Sequence, residues 1–180
     1  LPVDQDIPID AGTGVGDLTL DELRAIDHVF LTHSYLDHVT MLPFLLDTVG
    51  ADRERPVKVH VQEATLETLR RHLFNGLLWP DFSRMPTPES PFMTYHAMPS
   101  GVEIVLNGRT LRSITVNHVV PAVGYLARGA KGSLAFSGDT TITDEFWKVL
   151  NATEDLRHVI IETSFMDKDE ELSRISKHLC

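Results

Sequence analysis

The chain has 180 residues, 42% of them hydrophobic, with 26 Asp and Glu against 16 Lys and Arg and a formal net charge of -10. That length suits one layered α/β core, and the acidic balance disfavours a polyanionic partner, because nucleic-acid affinity rests on Lys and Arg displacing counterions. The one cysteine, Cys180, rules out an intrachain disulfide framework and fits a reducing cytoplasm, and no apolar run approaches the length of a membrane span.

"LPVDQDIPID" predicts two short extended pieces around a polar turn at Asp4-Gln5-Asp6, followed by the glycine-rich "AGTGVGD". The spacing predicts a helix over "TLDELRAI", capped by Thr19 with Glu22 three residues on. "DHVFL" reads as a continuous apolar strand that delivers "THSYLDHV" at its C-terminal end, where ligand sites of α/β sheets gather. "TMLPFLLDTVG" predicts a helix stopped by Gly50, "VKVHV" a strand, and "EATLETLRRHLFNG" an amphipathic helix. Residues 79–101 hold half of the ten prolines, interleaved with aromatic and Met residues, and are expected to form an irregular insert of the kind used as a lid or loop. Beyond it, "GVEIVLNGRTLRSITVNH" carries a hairpin signature around Asn107-Gly108, and "AVGYLARGAKGSLAFSGD" repeats the design. A helix over "TDEFWKVLN", a strand over "RHVIIET" and a polar helical stretch toward His178 follow. The expected organisation is a single domain over residues 1–180, α/β in class, with a mixed sheet and helices outside.

His33, Asp37 and His38 follow one strand, His118 ends a second in "VNHV", and Asp139 ends a third in "FSGDT". Three strand ends meeting at one sheet edge would offer imidazole and carboxylate donors, which bind a divalent ion at about 2.0–2.2 Å. Taken singly, each such residue is more often a hydrogen-bonded core or surface group than a ligand; taken jointly, the three clusters favour a metal. Gly12, Gly14 and Gly16 imitate a phosphate-binding loop but lack the Lys-Ser/Thr of one, so a plain turn is expected. His28, His60, His72 and His158 lie in strand or helix patterns without partners and read as structural. Asn75, Trp79 and Phe82 are candidates to line a substrate pocket, since an aromatic plane stacks on a purine, although a packed loop base explains them almost as well.

His33-x-Tyr35-x-Asp37-His38 resembles the His-x-His-x-Asp-His signature of the metallo-β-lactamase fold superfamily, and His118 and Asp139 match its later single ligands in order. Within it the chain is most similar to the class II cyclic-nucleotide phosphodiesterase group, through "THSYLDHVTMLPFLLD", "LFNGLLWPDF", "NHVVPAVGYL", "SGDT" and "IIETSF". The resemblance implies an αββα sandwich and two divalent ions, zinc first, with manganese or iron as alternatives. It also implies hydrolysis of a 3′,5′-cyclic nucleotide, cyclic AMP foremost, to the 5′-nucleotide. By the same resemblance, His33 and position 35 would join His118 at one ion, Asp37 and His38 would serve the other, and Asp139 would bridge. Asp37 is thereby counted with the catalytic residues. Glu162 in "IETSF" and His178 in "SKHLC" resemble a Glu and a His that relay a proton in the related tRNase Z branch; an exposed strand-end carboxylate and a helix-surface imidazole are the plain alternatives. Asp10 in "IDAGTGVGDL" would be a buried partner of a metal-bound histidine.

Tyr35 departs from the signature. A neutral phenol is a poor ligand, so first-site affinity is expected to fall unless the ion drives off the phenolic proton; a harder ion such as iron or manganese would suit the oxygen. The resemblance also implies an edge strand before Leu1 and a further histidine after Cys180, so the chain is expected to lack N-terminal and C-terminal pieces. The expected partner is a small-molecule cyclic nucleotide, with no nucleic-acid polymer, no membrane, and a homodimer allowed. Rival readings are a tRNase Z-like nuclease or a thioester or lactone hydrolase on the same scaffold, or a scaffold catalytically impaired by Tyr35.

Overall fold

Capping and alternation decide the elements of Leu1–Met98, the first of two units into which the chain divides in this computed structural model of residues 1–180; the second is Pro99–Cys180. In the first unit, β1 (Pro2–Asp4) and β2 (Ile7–Pro8) pair antiparallel, and a 3₁₀ turn at Thr13–Asp17 takes up the glycine-rich stretch. Helix α1 (Leu20–Ala25) opens with a reciprocal box: Glu22 N–H donates to Thr19 Oγ1, and Thr19 N–H donates to the Glu22 carboxylate. Such a cap is worth about 1 kcal/mol. Next come β3 (His28–Phe30), the single turn α2 (Leu36–Val39), α3 (Leu42–Val49) with Pro43 in its first turn, and β4 (Val57–Val61). Helix α4 (Glu63–Thr68) runs on into a π-helical turn, Leu69–Leu73.

The proline-rich segment holds more order than its composition predicts. A hairpin of β5 (Pro86–Thr87) and β6 (Ser90–Pro91) is followed by β7 (Met93–Ala97), which pairs in parallel with β4 from Val57↔Met93 to Val61↔Ala97. The prolines lie outside β7, so every ladder N–H survives. The parallel sheet runs β3-β4-β7. One face supplies Val29, Leu31, Val57, Val59, Val61 and Met93 to a core with Leu42, Leu45, Leu46, Leu66 and Leu69 from the helices. Fully burying each such side chain contributes about 1.5–3 kcal/mol. Alternation sends His28, Phe30, His60 and His96 to the other face, where His60 Nε2 lies 2.9 Å from His28 Nδ1 and its ring stacks on Phe30 with centroids 4.1 Å apart.

The second unit is a meander: β8 (Glu103–Leu106), β9 (Arg109–Thr115), β10 (Val123–Gly129) and β11 (Gly132–Phe136) are antiparallel neighbours. Asn107 and Gly108, at φ +50° and +80°, form the two-residue turn that the Asn-Gly pair predicts. Helix α5 (Asp144–Asn151) lays Phe146, Val149 and Leu150 on Ile114, Val116, Leu126 and Ala135. It leads to β12 (Leu156–Ile160), which adds in parallel to β11, and the chain closes with α6 (Glu170–Ser176). No helix is long and apolar enough to cross a membrane. The mixed α/β class expected from the sequence is observed.

Candidate functional site

Each unit carries its own set of donor side chains. In the first, Asp10 is held at φ +62°, a left-handed conformation in which its N–H donates to Phe30 O at 2.8 Å. The carboxylate then accepts from Thr32 N–H at 2.8 Å and from Thr32 Oγ1 at 2.9 and 3.0 Å, and lies 2.8 Å from His38 Nδ1. Because the carboxylate can only accept, His38 carries its proton on Nδ1 and offers Nε2 as its ligating nitrogen. The Thr32 hydroxyl proton is directed to Asp10. Its oxygen therefore accepts from His33 Nδ1–H at 3.0 Å, so the fully buried His33 likewise offers Nε2. One aspartate sets both tautomers, His38 directly and His33 through Thr32.

The rest of the motif is arranged around that pair. The His33 and His38 rings are 4.2 Å apart, and Asp37 Oδ2 is 3.4 Å from His38 Nε2 on a side chain that is 74% exposed. Tyr35 precedes α2 and meets His33 edge-on at 5.1 Å, with 37% of its surface exposed. Beneath the loop, Ala11 N–H donates to His38 O, and a Cβ on Gly12 would come within 2.1 Å of Asp37 O. Gly12 is thus required by close packing under the donor loop. Asn75 spends its side chain on its own turn, accepting from Leu77 and Leu78 N–H and donating to Arg71 O. Trp79 is half-buried against Phe44, while Phe82 is 2% exposed and belongs to the core.

In the second unit, His118, Asp139 and His178 each place one ligand atom within 4.8 Å of the others. His118 is buried and its Nδ1 lies 3.2 Å from Lys177 O; His178 Nδ1 lies 2.8 Å from Glu162 Oε1. Both imidazoles therefore hold a proton on Nδ1; His118 Nε2 and a carboxylate oxygen of Asp139 are donors that suit a divalent cation, with His178 Nε2 beside them. His178 Nε2 is 4.0 Å from Asp139 Oδ2, and the His118 and His178 rings meet edge-on at 5.0 Å. Glu162 is tied in place by Thr140 N–H, Leu179 N–H, Ser164 N–H and Ser164 Oγ, and its own N–H donates to Ser137 Oγ. Of the supporting groups, sequence reasoning missed Thr32, Thr140, Ser164 and Lys177. Thr32, next to His33, and Ser164, two residues after Glu162, sit close enough to a motif residue to have been suspected.

Residues 6–179 match the model of the β-lactamase superfamily domain. The chain is similar to ribonuclease Z of Pyrococcus abyssi, 28% identical over 102 residues, which are 56% of this chain and 30% of that protein. Among solved structures it is similar to unliganded yeast PDE1, with a TM-score of 0.74 and 20% identity, covering 89% of this chain and 50% of that one. It is also similar to human tRNase Z, short form, with a TM-score of 0.68 and 16% identity, covering 99% and 75%. The match thus spans less than a third of the ribonuclease Z length and half of the yeast chain. Donor residues and family match together make the chain a member of the metallo-β-lactamase fold superfamily.

Proposed function

We propose that the chain acts as a metal-dependent phosphodiesterase that hydrolyses a 3′,5′-cyclic nucleotide, cyclic AMP foremost, to the 5′-nucleotide. His33, Asp37, His38, His118 and Asp139 are the proposed metal ligands, with zinc the first candidate ion. The observation that carries phosphodiester hydrolysis is the Glu162–His178 dyad, 2.8 Å between Oε1 and Nδ1, with His178 Nε2 facing Asp139 at 4.0 Å; the dyad suits a cyclic nucleotide and RNA alike, and the acidic charge is what favours the small substrate.

A divalent ion, when bound, supplies the positive charge that stabilises phosphoryl oxygens and makes water an effective nucleophile at neutral pH. The chain's residues do the rest. Glu162 holds His178 by Nδ1–H and stabilises the ring when Nε2 also carries a proton, so Nε2 can pass that proton to the leaving ribose oxygen. Asp10, directly and through Thr32, keeps His38 and His33 in the Nε2-ligating tautomer. A net charge of -10 favours a small anion neutralised at the metal centre over a long polyanion.

RNA processing is the second reading, favoured by the ribonuclease Z relative at 28% identity. Metal content by elemental analysis, with hydrolysis of cyclic AMP, bis(p-nitrophenyl) phosphate and a tRNA precursor in the same samples, tests both readings. Metal-dependent turnover of cyclic AMP without cleavage of the precursor supports the first; the reverse pattern supports the second. Tyr35→His is expected to raise the zinc content per chain. Absence of bound metal in both forms would refute the ligand assignment.

A further inference from the structure

Lys177 lies between α6 and His178 at φ +55° and ψ +50°, a left-handed conformation that carries a steric cost for any side chain with a Cβ. Glycine is the usual residue just past a helix in this conformation. A lysine here must supply something that glycine does not. Its peptide is held from both sides: Lys177 N–H and His178 N–H both donate to Ser173 O, and Ser173 Oγ donates to His178 O at 2.7 Å.

From that fixed point Lys177 reaches His118, 59 positions earlier in the chain, twice. Its carbonyl oxygen accepts from His118 Nδ1–H at 3.2 Å, and its ammonium donates to the His118 carbonyl oxygen, also at 3.2 Å. The two bonds are reciprocal, main chain to side chain in one direction and side chain to main chain in the other. A cation near the last turn of α6 would be favourable for the helix dipole alone. The ammonium, however, is committed to a carbonyl of a different segment. The next residue, His178, presents its ring edge-on to His118 at 5.0 Å, so one short segment governs both imidazoles.

We propose that Lys177 is a positioning residue: it fixes the tautomer and orientation of His118 and locks its spacing to His178. The inference deepens the proposed function and rests on it for the identity of the ion. Lys177→Gly removes the ammonium while easing the left-handed backbone, so the variant keeps its fold; Lys177→Arg retains a cationic donor. Long-range ¹H–¹⁵N spectra of the metal-free protein, taken at mildly alkaline pH where imidazole is neutral, read which nitrogen of His118 is protonated. Zinc affinity is measured on the same proteins by competition with a chelator.

The parent and Lys177→Arg are expected to show a single Nδ1–H tautomer at His118. Lys177→Gly keeps the main-chain acceptor and with it the Nδ1–H tautomer, but without the ammonium bond it is expected to hold His118 less firmly, with a zinc affinity lower by about 10-fold that Lys177→Arg restores, the low end for groups that orient a metal-binding histidine. Unchanged zinc affinity in Lys177→Gly, or loss of the single Nδ1–H tautomer in the parent, would overturn the assignment. Failure of the parent protein itself to bind zinc would instead overturn the metal-dependent reading, and this inference with it.

Discussion

Replacing His60 by phenylalanine should remove much of an acid sensitivity carried by the folded state. His60 is 3% exposed, and burial first, with His28, His96 and Lys58 assisting, pushes its imidazole down to about 3 from an ordinary 6.5. The unfolded chain therefore takes up a proton near 6.5 that the folded chain refuses until about 3. Stability is unaffected above the upper value, falls as pH drops between the two, and levels off below the lower one. The slope is about 1.4 kcal/mol per pH unit, so acidification from about pH 7 to about pH 5 costs roughly 2 kcal/mol at this one side chain. His28 and His96 are also lowered, chiefly by burial, with Asp27 and Asp6 pulling His28 upward, and both add to the slope in parent and variant alike.

Phenylalanine keeps an aromatic face against Phe30 and forfeits the 2.9 Å bond to His28, a loss of about 1 kcal/mol at neutral pH. Urea unfolding of the metal-free proteins at the two pH values reads the difference directly. The parent should lose about 2 kcal/mol more than His60→Phe across the interval, with matching m values. Equal losses in the two proteins would refute the reasoning.

Asp10→Asn puts an amide where Thr32 and His38 need an acceptor, and should lower zinc affinity by about 10- to 100-fold in a chelator competition; an unchanged affinity would remove His33 and His38 from the ligand set. Under the proposed function, Glu162→Gln should leave metal content intact while lowering kcat for cyclic AMP by about 10²- to 10⁴-fold with little change in KM, as loss of a proton relay requires. Gly12→Ala drives a Cβ into the Asp37 carbonyl and should destabilise by about 1–3 kcal/mol in thermal melts, whereas Gly14→Ala, with nothing within 4 Å, should not.

Features written in short-range chemistry were legible in the sequence. The Thr19–Glu22 box and the Asn107-Gly108 turn depend only on neighbours, and both form as the residues predict. His33, Asp37, His38, His118 and Asp139, the proposed ligands, stood out because each follows an apolar strand pattern. Strand β7 was hidden because flanking prolines dominate the composition while only Met93, Tyr95 and their alternation carry the strand signal. The His28–His60 contact was missed for a different reason: it exists only once the register Phe30↔His60 is set, and neither residue's own neighbours imply it. Lys177 was the least legible, since its partner is His118 and its backbone conformation contradicts the preference of its residue type. Asn75 and Phe82 were singled out by composition, while their positions are explained by a turn and a core.

The two sheets also differ in what their assembly demands of the chain. In the meander, Leu106 faces Arg109 and Gly129 faces Gly132, so each hairpin closes over a handful of residues and can zip from its turn. In the parallel sheet, His28 must find Lys58 and Val57 must find Met93, and each encounter spans a helix-bearing connection whose entropy is lost before any pairing is gained. The segment synthesised first therefore has the slower search: β3 waits for β4, and β4 gains its second neighbour only when the chain has been made through β7, whereas the later hairpins close as soon as they emerge. The proline-rich stretch before Met93 thus sets when the first sheet can finish.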